Sequence, residues 1–245
     1  LKDDLPLDTG QSGTVRWIEG AMQGGWLRDL RATWPIGRSG ATAAERPWDD
    51  LQLTLELDDV LMDYARNWPP AQSMQASVRM AENQLLANAP SARMLDTELS
   101  QVTARIDELF TDASLHLHAN VDGDGEQMLD LLASMPITGS DFSDRDYRLR
   151  GPVRAQADIG IDLSGKTSLL YARGAAALNG VMAVTEQLNI DDIQGELGFD
   201  DEGPTDSMLR GRWGNHSARL EWKRTDQGPV IRMQGQFPSQ QVAHA

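Results

Sequence analysis

The sequence predicts a mainly β protein: an elongated, curled antiparallel sheet, a β-groove built from repeated modules with two or so short helices. Three features predict it. Apolar and polar residues alternate with period two along most of the chain, only two short segments carry helical spacing, and the pattern recurs after about one hundred residues.

The alternation is clearest in three runs. Leu51, Leu53, Leu55 and Leu57 are interleaved with Gln52, Thr54, Glu56 and Asp58. Leu115, Leu117, Ala119 and Val121 are interleaved with His116, His118, Asn120 and Asp122. The longest run sets Val153, Ala155, Ala157, Ile159, Ile161 and Leu163 against Arg154, Gln156, Asp158 and Asp162. Weaker runs cover 76–80, 102–106, 193–199, 218–222 and 230–233. Successive side chains of a strand point to opposite faces, so each run makes one apolar and one polar face. That belongs to antiparallel sheets wetted on one side, not to parallel strands buried on both faces.

Helical spacing is confined to 15–23, with Val15, Ile18 and Met22 near one face, and to 126–134, with Met128, Leu131, Leu132 and Met135. Each segment runs into a Pro-Ile pair, Pro35-Ile36 and Pro136-Ile137, then a polar loop and an alternating strand. The strands stand at an offset of 102 residues, Leu51 to Val153. Asn83-Gln84-Leu85 sits like Asn179-Gly180-Val181 at an offset of 96, and Leu99, Val102, Ala104 and Ile106 sit like Ile190, Ile193, Gly195 and Leu197 at 91. Two diverged modules are expected, 1–125 and 126–245, each opening on its short helix. So many one-faced strands with so little helix leave no helical layer over the apolar face. A sandwich, a closed or grooved single sheet, or an open surface for an apolar ligand would each dispose of it.

The chain carries 37 acidic against 22 basic residues, a formal net charge of -15, with no clustered Lys/Arg stripe. That excludes a nucleic-acid partner. Cysteine is absent, removing disulfides, thiolate nucleophiles and Cys-based zinc sites together. No stretch reaches the length of an apolar membrane span, and the start has no signal-peptide profile.

Candidate chemical sites fail on context. Residues 160–167 match the phosphate-binding loop pattern letter by letter, but Ile161 and Leu163 continue the alternation of a half-exposed strand and no helix pattern follows. No nucleotide is expected. His116 and His118 share a strand face but have no third ligand near them in sequence, so no metal is assigned. Residues 122–126 have calcium-loop composition without its spacing. No nucleophile elbow, zinc-protease motif or isolated carboxylate pair is present, so neither an enzyme nor a cofactor is expected. Seven tryptophans, five of them in the first third, keep one competitor open: a carbohydrate-binding or adhesive envelope β-sandwich.

The stretch from Trp48 to Ala104, with Asp63-Tyr64, Asn67-Trp68-Pro69, Ala76 to Met80 and Asn83-Gln84-Leu85, resembles the central region of YhdP-type proteins of the AsmA-like and TamB-like group. So do Leu131-Leu132 to Pro136-Ile137, Leu149 to Val153, Gly174 to Leu178, Asn179-Gly180 and Ile193 to Phe199. The resemblance implies an internal piece of a long periplasmic protein anchored in the inner membrane. Its curled sheet would shelter phospholipid acyl chains on the way to the outer membrane. The residues expected to line that face are Leu53, Leu55, Val78, Met80, Val102, Ala104, Leu115, Leu117, Ala157, Ile159, Ile161, Ile193 and Leu197. Its partners would be acyl chains and the rest of the same long chain, including the anchor.

Overall fold

A computed structural model describes residues 20–33, 51–63, 68–109, 112–135, 147–163, 168–185, 188–225 and 228–238. Its strands are β1 (Met22–Thr33), β2 (Gln52–Met62), β3 (Ala71–Ala81), β4 (Gln84–Met94), β5 (Thr97–Asp107), β6 (Ser114–Asp124), β7 (Tyr147–Arg150), β8 (Pro152–Asp162), β9 (Ser168–Thr185), β10 (Asn189–Asp200), β11 (Gly203–Pro204), β12 (Ser207–Trp213), β13 (His216–Thr225) and β14 (Gly228–Gly235). A helix, α1 (Gly125–Ala133), follows β6. The strands form one sheet in the order β1-β2-β3-β4-β5-β6-β8-β9-β10-β12-β13-β14, with β7 on β9 and β11 on β10. Every pair whose register is described is antiparallel. The fold class read from the alternation is the one observed.

The neighbour-to-neighbour order follows from short loops, which can only return a strand beside itself. Glu82-Asn83 joins β3 to β4 with both residues at positive φ, the geometry of a type I′ turn. Gly214-Asn215 joins β12 to β13 with positive φ at the glycine. Leu95-Asp96 joins β4 to β5 with the same positive φ, of 51°, at its first residue, but there a leucine stands, 43% exposed. Its Cβ crowds the backbone in that region. Leu95→Gly should therefore raise stability by about 1 kcal/mol, read as a higher urea midpoint at unchanged slope.

The chain divides into two compact units, Leu1–Arg93 with Gln101–His118 and Gly160–Leu170, and Met94–Ser100 with Ala119–Ile159 and Tyr171–Ala245. In the first, Leu57, Val60, Met74, Ala76, Val78, Ala89, Ile106 and Leu115 are buried. In the second, Leu99, Val121, Leu131, Val153, Leu178, Val181, Ile190, Ile193, Leu209, Ala218 and Leu220 are buried.

Within the second unit, α1 starts where Asp124 caps it. Its carboxylate accepts from Glu126 N at 3.1 Å, and Gln127 Oε1 accepts from Asp124 N at 2.9 Å, a capping box. The other Asp124 oxygen accepts from Gly151 N at 2.7 Å, tying the helix start to the β7–β8 corner. The acidic turn at 122–126 is thus a helix start. A Cβ on Gly125 would lie 2.6 Å from Leu149 Cβ, so β7 approaches this helix start as closely as only glycine permits. The helix expected at 126–134 is present. Of the segment 15–23, Gly20 and Ala21 are helical, Met22 and Gln23 already belong to β1, and 15–19 lie outside the described residues, as do both Pro-Ile pairs.

Candidate functional site: a bulged sheet face kept apolar

Strict alternation would not by itself hold one face apolar here, because apolar residues are three apart at the middle of several strands. Leu57 is followed by Val60, Ala71 by Met74, Leu99 by Val102 and Ile190 by Ile193. In each case the residue just before the second apolar one has positive φ: Asp59 at 51°, Ser73 at 50°, Gln101 at 52° and Asp192 at 52°. Register breaks are recorded between Leu57 and Val60 and between Ile190 and Ile193. These are β-bulges, each an extra residue that would otherwise send the rest of the strand to the opposite face. Gln101 and Asp192 hold equivalent positions in the Leu99/Ile190 correspondence. The spacing of three was visible in the sequence; its conformation was not.

Paired strands set some of the expected lining residues opposite one another within each unit. Leu53 stands opposite Met80 and Leu55 opposite Val78, and β1 extends these rows with Ala32 and Leu30. Val102 and Ala104 are half-buried on β5, while Leu115 is buried and Leu117 half-buried on β6; Ile161, at the end of β8, is 1% exposed. In the second unit Ile193 faces Val181 and Leu197 faces Ala176, while Ala157 and Ile159 are half-buried on β8. Sequence reasoning missed a further row there, Leu178, Gly195, Leu209, Leu220 and Met233, directly opposed from β9 to β14. Its signal was dilute, because Gly195 and the short strands β12 and β14 interrupt the alternation.

The opposite face is polar. On β12, β13 and β14 it carries Arg210, Arg212, Arg219, Glu221 and Arg232. Arg154 Nε lies 3.1 Å from Asp122 Oδ1 on the same kind of solvated surface. At the β10–β11 turn, Arg224 donates to both Asp200 oxygens, at 2.6 and 3.0 Å, to Glu202 at 3.1 Å and to the Gly203 carbonyl at 2.6 Å. Hydrogen bonding from Arg224 holds the Asp200 carboxyl below the usual carboxylate range, helped by the Glu202 N–H and opposed by partial burial. A depressed carboxylate stabilises the fold above its unfolded-state value and loses that contribution as pH falls through the folded one. Arg224→Met should lower the melting temperature near neutral pH, and the gap to the parent should narrow below about pH 4.

The remaining motifs take structural places. Gly160 to Asp162 continue strand β8, and Ser164 to Thr167 lie outside the described residues. His116 Nε2 lies 3.2 Å from Ser114 Oγ and 3.8 Å from Asp107 Oδ2. Among the described residues no three His, Asp or Glu side chains are gathered as a metal cluster, and no helix is long and apolar enough to cross a membrane. Trp68 is buried and Trp26 is 67% exposed; Trp17, Trp34 and Trp48 lie outside the described residues.

An antiparallel sheet whose bulged strands keep apolar rows in phase, with no metal-binding cluster among the described residues, defines a scaffold for apolar contact. A family model described as "YhdP protein" matches residues 5–244, and the chain belongs to this family of AsmA-like, envelope-associated lipid-transport proteins, a transport family and not an enzyme family. Neither the curated proteins nor the solved structures contain a match to the chain.

Proposed function

We propose that this chain is a segment of a periplasmic lipid conduit, in which phospholipid acyl chains lie along the apolar sheet face and head groups stay in water. In that reading it serves transport between inner and outer membrane as part of a protein anchored in the inner membrane. The observation that carries it is the state of the face at the strand centres. Leu53, Leu55, Val102, Ala104, Leu117, Ala157, Ile159 and Leu197 are apolar and only half-buried. A single sheet layer cannot bury both of its faces, so such residues need a second apolar surface. Acyl chains fit, because each sheltered CH₂ gains about 0.8 kcal/mol. Walls of aliphatic side chains offer no fixed polar anchor, which suits sliding over retention.

The test is lipid extraction and mass spectrometry of the purified chain. Phospholipid should be recovered in stoichiometric amount and lost from a Leu55→Asp, Ile159→Asp, Leu197→Asp variant whose circular dichroism still reports a folded sheet. Recovery no greater than from an unrelated soluble protein handled in parallel would sink the proposal.

A further inference from the structure

The polar face of the first unit carries a hollow of about 620 Å³ crossing β1 to β5. Its lining includes a polar side chain from each strand, Arg28, Asp58, Gln75, Asn88 and Thr103, with Glu56, Ser77 and Gln101 beside them and the apolar Leu57, Ala76, Ala89, Pro90 and Val102 between them. Hydrogen bonds join them in two groups, Arg28 with Asp58 and Gln75, and Asn88 with Thr103. Arg28 Nε donates to Asp58 at 2.9 Å, Gln75 Nε2 donates to the other Asp58 oxygen at 3.1 Å, and Thr103 Oγ1 donates to Asn88 Oδ1 at 3.5 Å. The bulges that keep the opposite face apolar lie alongside: register breaks at Leu27/Asp29 and Leu57/Val60, and positive φ at Gln101, itself in the lining. A bulge places two residues against one and bends its strand, which turns a flat polar face into a concave one.

At one end of this track stands Trp26, directly opposite Asp58 in register and therefore on the same face. Its indole is 67% exposed. A broad aromatic plane beside carboxylate, amide, guanidinium and hydroxyl groups matches a ligand that is apolar on its ring faces and hydroxylated at its rim. Five strands about 4.8 Å apart make a track of about 19 Å, the reach of several linked rings and not of one. The charge narrows the choice further. Arg28 is engaged by Asp58, and Glu56 leaves the lining with a negative excess, so phosphates and anionic head groups meet repulsion there.

We infer that the polar hollow spanning β1 to β5, with Trp26 at its rim, is a binding site for a neutral oligosaccharide chain lying across the strands. Its polar side chains stand on the face opposite Leu53, Leu55 and Val78, so a glycan held by them and acyl chains on those rows would not compete.

The experiment is a titration of the ¹⁵N-labelled chain, followed by the Trp26 indole and the Gln75 and Asn88 side-chain amide signals. The probes are maltotetraose, tetra-N-acetylchitotetraose and sodium phosphate. A saturable shift with at least one neutral oligosaccharide is expected, weakened tenfold or more in both W26A and N88A, each checked for folding by circular dichroism. The Leu55→Asp, Ile159→Asp, Leu197→Asp variant should keep the response, which separates this site from the lipid proposal. No saturable shift with either oligosaccharide, an equal response to phosphate, retention in both W26A and N88A, or loss in the folded apolar-face variant would each overturn the inference.

Discussion

Deleting Asp192 should destabilise the second unit by about 2–3 kcal/mol. Asp192 is the extra residue of the β10 bulge, at φ 52°, between a buried Ile190 and a buried Ile193. Without it, residues on one side of the bulge must exchange faces. If β10 keeps its pairing at Ile190, then Leu197 and Phe199 turn to the polar side. Both are half-buried, so each loses about half of the roughly 1.5–3 kcal/mol that a fully buried side chain of this size contributes. Asp192→Gly is the control, because it keeps the residue count and suits positive φ, while losing the 2.9 Å hydrogen bond from Gln194 and the contact with Arg212. Urea unfolding followed by near-ultraviolet circular dichroism should show a clearly lowered midpoint for the deletion and a near-parental one for the glycine variant. A deletion variant with the parental midpoint would show that the bulge does not set the face.

Gly174→Val should destabilise the chain by about 3 kcal/mol, the upper end for forcing volume into a packed site. Gly174 lies on β9 directly opposite Phe199 on β10. A Cβ there would stand 2.0 Å from the Gln156 carbonyl oxygen and 2.5 Å from Phe199 Cζ. The ring covers the glycine, and β8 backbone closes the remaining side, so two neighbouring strands would both have to move. Relief of the ring alone should not rescue it. The double variant Gly174→Ala, Phe199→Ala should remain less stable than Phe199→Ala, because the carbonyl clash persists. Thermal and urea midpoints measure both differences, and a loss below about 1 kcal/mol for Gly174→Val would contradict the packing described.

The Leu99/Ile190 correspondence was legible as spacing, and the Gln101 and Asp192 bulges explain why it recurs. The other correspondence behaves differently. Asn83 sits in the turn between β3 and β4, whereas Asn179-Gly180 lies inside the single long strand β9. Similar local letters there serve a reversal in one place and, in the other, a bulge at Gly180, whose φ is 79°, inside a strand that goes on to pair with β7 from Met182 to Thr185.

The polar hollow had no sequence signature at all. Arg28, Asp58, Gln75, Asn88 and Thr103 are each an ordinary polar residue on the wet side of a different strand. Only register and the intervening bulges set them side by side.

What the sequence determined by itself was therefore everything that depends on near neighbours. Alternation specified one-faced strands, short polar loops specified antiparallel neighbours, and Asp124 with Gln127 specified where the helix starts. Composition, with no cysteine, removed thiol chemistry without reference to any fold. What tertiary structure alone decided was which residues share a row: Leu55 with Val78, Leu209 with Leu220, Trp26 with Asp58. A strand's period of two fixes faces relative to its own neighbours, but one bulge reverses that relation. Only the hydrogen-bonded partner strand determines whether the reversal is made.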